Sequence, residues 1–305
     1  MWAGAGPPSL HAMLAVRSVS RSFDSTKVLD DVSFDVAPGR ITGFVGANGS
    51  GKTTTMRIIL GVLAAHGGTV RWRDAPVTQA VRQRFGYMPE ERGLYPKMKV
   101  AEQVVYLGRL HGLDFATAKR NATALLERLE LTARANDEVE KLSLGNQQRV
   151  QICAALVHDP ELLILDEPFS GLDPLAIETV LGVLRERAAR GVPVLFSSHQ
   201  LELVERLCDD LVIISGGAIA ASGSRDGLRE RHGTPRFELV VEGDAGWVRD
   251  QAGVTVVELD GARVVFDVAN SLDAQPVLRE AVSRGVVHDF GKVVPSLSEI
   301  FREVI

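Results

Sequence analysis

Apolar and polar residues alternate from Leu14 to Phe23, again over Val32 to Val36, and a third time over Gly68 to Trp72, which predicts half-buried strands of an antiparallel layer. Among them, Ile41-Thr42-Gly43-Phe44-Val45 is almost continuously apolar, as a strand covered on both faces must be. The stretch Thr54 to Leu60 follows with helical spacing, and Phe85-Gly86-Tyr87-Met88-Pro89 reads as a strand meeting a loop. From about Val100 to Leu142 apolar residues return every three or four positions, at Val104, Leu107 and Leu110 and later at Leu125, Leu126 and Leu129, so a helical insert is expected. Strand and helix then alternate: Leu162 to Leu165, a helix after Pro174, Val192 to Ser197, a helix from Leu201 to Leu207, and Leu211 to Ser215.

At Arg231-His232-Gly233-Thr234-Pro235 a helical pattern runs into glycine and proline, and a domain boundary is expected between residues 232 and 233. Beyond it come a strand from Phe237 to Val241, a short helix near Ala245 to Gln251, and strands near Val254 to Leu259 and Arg263 to Val268. A helix around Ala274 to Ser283, a strand from Val286 to Phe290 and a last helix from Ser296 to Val304 complete the chain. This order predicts a small α+β sandwich of ferredoxin-like type. Residues 1–12 are expected to form a disordered tail, with Met13 an alternative start.

A length of 305 residues accommodates one large and one small domain. The net charge of -5 argues against a general affinity for nucleic-acid phosphates. Cys153 and Cys208 are isolated in apolar helical patterns, which leaves no zinc or disulfide framework and suits a reducing compartment. No apolar run approaches the length of a membrane span, and the first residues lack the basic start and apolar stretch of a signal peptide, so a cytoplasmic location is expected.

The chemistry begins where the Ile41 to Val45 strand gives way to Gly46-Ala47-Asn48-Gly49-Ser50-Gly51-Lys52-Thr53 and then to a helix. In that setting the run is a phosphate-binding P-loop for ATP or GTP. Glycines at 46, 49 and 51 let the backbone curl so that N–H groups, including those of Asn48, Ser50 and Thr54, converge on phosphate at the positive end of the helix dipole. Lys52 reaches the β- and γ-phosphates and the Thr53 hydroxyl ligates Mg2+. A second strand, Leu162 to Leu165, ends in Asp166 and Glu167, where Asp166 can hold Mg2+ through water and Glu167 can act as base for an attacking water.

Between these lies Leu142-Ser143-Leu144-Gly145-Asn146-Gln147-Gln148-Arg149, which resembles the signature motif of ABC ATPases. Ser170-Gly171-Leu172-Asp173-Pro174 and Ser197-Ser198-His199 follow in family order, and the likeness covers roughly the first 230 residues. The resemblance implies an α/β P-loop NTPase of the ABC cassette type over residues 13–232, with a parallel-sheet core, an antiparallel β layer and a helical subdomain at about 97–142. A small α+β domain follows over 233–305. It further implies that Ser143 and Gly145 cap the γ-phosphate of an ATP held by a second copy, that Asp173 sits at the dimer seam, that His199 contacts the γ-phosphate and the water-positioning Glu167, and that Phe23 stacks on adenine in place of the commoner Tyr.

Glu90 stands where the family usually has Gln, able to ligate Mg2+ but adding a negative charge, and Leu144 and Asn146 replace the usual Gly and Gln of the signature. The run Glu90 to Pro96, the signature ending Gly145-Asn146-Gln147-Gln148, and the tail Pro295 to Phe301 are similar to the ATP-binding subunits of bacterial sodium- and antibiotic-efflux exporters. The expectation is therefore an ATPase subunit at the cytoplasmic face of the membrane that dimerises around two ATP-Mg2+ and drives a separately encoded permease, with no nucleic acid as partner. Two rivals are a soluble ABC ATPase acting on DNA or ribosomes, and a nucleotide-gated module with little turnover. The first is disfavoured by the single cassette, the second by intact Lys52, Asp166, Glu167 and His199.

Overall fold

The computed structural model describes residues 12–91, 93–232, 234–293 and 299. The expected N-terminal tail, Ala12 apart, and the expected last helix, Glu299 apart, lie outside the described residues. Packing divides the chain into two compact units, Met1–Ser224 and Arg225–Ile305.

In the first unit, strands β1 (Leu14–Phe23), β2 (Thr26–Val36) and β3 (Ile41–Val45) precede helix α1 (Lys52–Ile59), and β4 (Gly67–Trp72), β5 (Ala75–Pro76), the short α2 (Gln79–Arg82) and β6 (Phe85–Met88) follow. The helical insert consists of α3 (Val100–Leu110) and α4 (Phe115–Arg128), and α5 (Leu144–Leu156) leads back to β7 (Leu162–Leu165). Then come α6 (Pro174–Ala189), β8 (Val194–Ser198), α7 (Leu201–Leu207), β9 (Asp210–Ser215) and β10 (Ala218–Ser224).

Two sheets result. The antiparallel layer has the order β2-β1-β4-β5, and the six-stranded sheet has the order β10-β9-β3-β8-β7-β6 with every pairing parallel except β10 against β9. All four residues of β7 and all five of β3 are buried, as expected for central strands of a covered parallel sheet. Phe34 of the antiparallel layer lies 5.2 Å, ring to ring, from Phe44 of β3, and these two rings sit in the core shared by the two sheets. Burial of side chains of this size contributes about 1.5–3 kcal/mol each.

Strand β10 lies outside the sequence expectation because its residues, apart from Ile219, are small and show no strong alternation. It pairs through the hairpin at Gly216-Gly217, whose φ angles of 53° and 82° suit a tight two-residue turn. The helical insert meets the sheet at a pair of imidazoles: His111, just after α3, stacks on His158, just after α5, with centroids 3.6 Å apart and planes at 7°. His111 Nδ1 lies 3.2 Å from the Gln83 carbonyl and His158 Nε2 lies 3.1 Å from that of Phe85.

The second unit opens with α8 (Arg225–His232), so the packing places this helix after the division, whereas the sequence reading placed it before the boundary. Strands β11 (Arg236–Val241), β12 (Val254–Asp260), β13 (Arg263–Val268) and β14 (Val287–Val293) form an antiparallel sheet in the order β12-β13-β11-β14, with α9 (Ala274–Arg284) contributing Val277 and Ala281 to the core against Leu239 and Phe266. The helix expected near 245–251 is a single 3-10 turn, Gly246–Asp250. Strand order and connection are those of the ferredoxin-like pattern. Arg236 donates to Asp267 at 2.7 Å and to Glu299 at 2.5 Å.

Candidate functional site

Parallel pairing brings the ends of β3, β8 and β7 side by side, with Val45 opposite Ser198 and Leu165 opposite Phe196. The chain leaving β3 and the chain leaving β7 therefore emerge on either side of the end of β8, where open α/β sheets hold their ligands. A cavity of about 550 Å3 lies there. Asn48, Gly49, Gly51, Lys52, Thr53 and Thr54 line it together with Asp166, Glu167, Glu90, Phe23 and Val28.

The loop before α1 has the form its glycines require. Gly51 has φ 108°, and a Cβ there would come within 2.5 Å of Leu29; a Cβ on Gly46 would stand 2.4 Å from the Ile214 carbonyl. Lys52 Nζ donates to the carbonyls of Gly46 at 2.7 Å and Ala47 at 3.1 Å. Burial lowers the pKa of its ammonium, while the carboxylates of Glu167, Asp166 and Glu90 pull it the other way.

At the end of β7 the chain turns through Glu167 at φ 51°, a left-handed conformation rare for a residue with a side chain. Such a conformation costs about 1–3 kcal/mol and persists only where neighbours determine it. Here they do. The Glu167 N–H donates to Ser197 Oγ at 2.9 Å, Ser197 Oγ donates to Asp166 Oδ1, and the Gln148 amide donates to the carbonyls of Glu167 at 3.0 Å and Pro168 at 3.1 Å. His199 Nδ1 lies 2.9 Å from Glu167 Oε1 and so donates to this carboxylate. Asp166 is 1% exposed, and its Oδ2 has no hydrogen-bond partner within the protein. Asp166 lines the cavity together with Thr53 and Glu90, and these oxygen-bearing side chains form a donor set of the hard-oxygen kind that suits Mg2+.

Of the predicted residues, Gly46, Ser50, His199, Ser143, Gly145 and Asp173 are not part of this cavity's lining. Ser143 caps α5, accepting from the Asn146 N–H at 3.3 Å, and Asp173 caps α6, accepting from the Ala176 N–H at 2.9 Å. Gly145 lies against the Gly171 carbonyl, 3.2 Å from where its Cβ would be. Ser143 and Asp173 are exposed.

Sequence comparison agrees with this geometry. The profile of a family described as "ABC transporter" matches residues 29–170, and one described as "ATP-binding protein DrrA1-3-like, C-terminal domain" matches residues 223–305. The chain is 38% identical over 293 residues to an ABC transporter ATP-binding protein of Bacillus subtilis, YhaQ, covering 96% of this chain and 98% of that one. It belongs to the ATP-binding proteins of ABC transporters. It is also 38% identical over 272 residues to the Nod factor export ATP-binding protein I of Paraburkholderia xenovorans, covering 87% and 88% of the two chains. A solved ATP-binding subunit of an ABC transporter, 34% identical, superposes with a TM-score of 0.68 over 72% of this chain and 93% of its own. The chain is thus an ABC-type ATPase with export-type relatives and the C-terminal domain of the DrrA group.

Three residues of this ABC ATPase went without a role in the sequence reading. Ser197 is recognisable only once β8 is known to lie beside β7, and Val28 only once β2 is folded over the P-loop. Gln148 stood inside the signature run, but its contact with the Glu167 carbonyl spans 19 residues and has no local signal.

Proposed function

We propose that this chain binds ATP with Mg2+ in the cavity between the P-loop and the end of β7, hydrolyses it as one of two identical subunits, and drives export through a separately encoded membrane permease at the cytoplasmic face. The observation that carries the reading is Glu167: its backbone is tied to Ser197 and Gln148 and its carboxylate to His199, in a cavity shared with Lys52 and Asp166. Gly46, Asn48, Gly49, Ser50, Gly51 and Thr54 cradle the phosphates, Lys52 reaches the terminal ones, and Phe23 stacks on the base. Asp166, Thr53 and Glu90 hold Mg2+, which when bound neutralises charge on the β- and γ-phosphates. Glu167 accepts a proton from the attacking water, and His199 fixes the orientation of that carboxylate.

Among the described residues no group of three His, Cys, Asp or Glu side chains is placed to hold a metal by itself. Ser143 and Gly145 supply a hydroxyl and the N-terminus of α5 to the γ-phosphate of the other copy, with Asp173 near the seam; both ends lie on exposed caps free to meet a second molecule. No helix among the described residues is long and apolar enough to cross a membrane. Residues 225–305 are read as an appended module that carries none of these phosphate-facing groups.

Purification from detergent-solubilised membranes tests the assignment. The chain should bring with it a protein of several membrane spans that stimulates its phosphate release; recovery with ribosomes or DNA instead would overturn the transport reading.

A further inference from the structure

Phe23, the last residue of β1, lines the nucleotide cavity with 43% of its surface exposed, which leaves an aromatic ring with little to fix it. One face is taken. The guanidinium carbon of Arg21 stands 4.9 Å from the ring centroid, within the range of a cation–π contact. Arg21 is held in turn: its Nη1 donates to the Ala64 carbonyl at 3.0 Å and lies 2.9 Å from His66 Nε2, while its Nε is buried without a hydrogen-bond partner. Ala64 and His66 belong to the segment that follows α1, the helix that begins at Lys52, and this segment is fastened to β1 by the His66 N–H on the Ser20 carbonyl at 2.9 Å and the Ser22 N–H on His66 Nδ1 at 3.3 Å.

We propose that Arg21 is a positioning residue for the nucleobase: it holds the back face of Phe23 so that the opposite face is presented to adenine, and it ties this platform to the chain leaving the P-loop helix. Adenine then meets a ring already fixed in place, and less rotamer freedom is lost on binding. The inference rests on the reading that Phe23 stacks on the base.

Calorimetric titration of the full chain with Mg-ADP and, separately, with Mg-pyrophosphate tests it, because pyrophosphate has no base. Arg21→Ala should weaken Mg-ADP about two- to five-fold, the size of a cation–π contact, and leave Mg-pyrophosphate unchanged. Arg21→Gln keeps a donor toward Ala64 but removes the cation, and should show the same selective loss even if the alanine variant folds poorly. In steady-state ATP hydrolysis KM should rise with kcat nearly constant. Equal weakening of both ligands, or no weakening of ADP, would overturn the proposal. Phe23→Ala separates the two ideas: if it weakens ADP while both Arg21 variants do not, Arg21 alone loses its role, and if it has no effect the base lies elsewhere and both readings fall.

Discussion

The corner at Asp166 and Glu167 and the helix entry at Ser143 and Gly145 are joined through α5, whose Gln148 reaches one and whose N-terminus forms the other. The corner is buried, and its backbone is strained at Glu167 and held by partners from β8 and α5. The helix entry is solvent-exposed, with Ser143 making a capping hydrogen bond that any helix of this kind could have. On the proposed reading, Glu167 is a base that must stand in place before substrate arrives, which a dense set of contacts within one molecule provides. Ser143 and Gly145, proposed to act on another copy, need an open surface, and the local bond at Ser143 is that of an ordinary cap.

Five substitutions break or sharpen this contrast. Glu167→Gln should lower the ATPase rate by about 10²–10⁴-fold while Mg-ATP still binds, because the base is lost and the P-loop is not. Phosphate release at the wild-type rate would remove Glu167 from that role. Next in size, Lys52→Ala and Ser143→Arg should each nearly abolish turnover, yet a mixture of the two chains should regain a fraction of it, since in a head-to-tail pair one site carries both lesions and the other carries neither. ATP-dependent heterodimers should accompany the recovery. An ATP analogue that crosslinks to Lys52 and Ser143 of the same chain would refute the exposed cap's assignment to a second copy.

Ser197→Ala strikes the buried side through its support. It strands Asp166 Oδ1 and the Glu167 N–H in a dry environment, for an expected loss of about 1–3 kcal/mol of stability, visible as a lower melting temperature. Ser143→Ala should cost only about 0.5–2 kcal/mol as a lost helix cap, so any ATPase defect out of proportion to that small change in melting temperature belongs to the second copy's phosphate.

What the sequence made legible follows the same division. Gly46 to Thr53 and Asp166-Glu167 could be read because each is a continuous run whose flanking strand appears in its own hydrophobic pattern. The parallel core and the helical insert were legible for the same reason. Ser197 was not, because its partner is set by the order of strands in the sheet. Strand β10 escaped because Ala218 to Ser224 has small residues and no strong alternation, although Gly216-Gly217 before it was a usable hairpin signal. The turn at Gly246–Asp250 reads as a short helix in the sequence because a 3-10 turn and a short amphipathic helix bury the same kind of residue, here Val248.

The stacked imidazoles where the helical insert meets the sheet also make that seam a proton balance. Burial, and the His111 ring against it, push His158 down from the ordinary 6.5 to about 4, with the hydrogen bond to the Phe85 carbonyl and then the nearby Asp159 carboxylate opposing the shift. The folded chain therefore keeps this ring neutral where the unfolded chain would take up a proton. Its contribution to stability is whole above pH 6.5 and drains away as the pH falls toward 4. His158→Gln retains a donor toward the Phe85 carbonyl without a titrating ring, and its melting temperature should fall less steeply than that of the wild type between pH 7 and pH 5, whereas parallel slopes would assign the acid sensitivity to other groups.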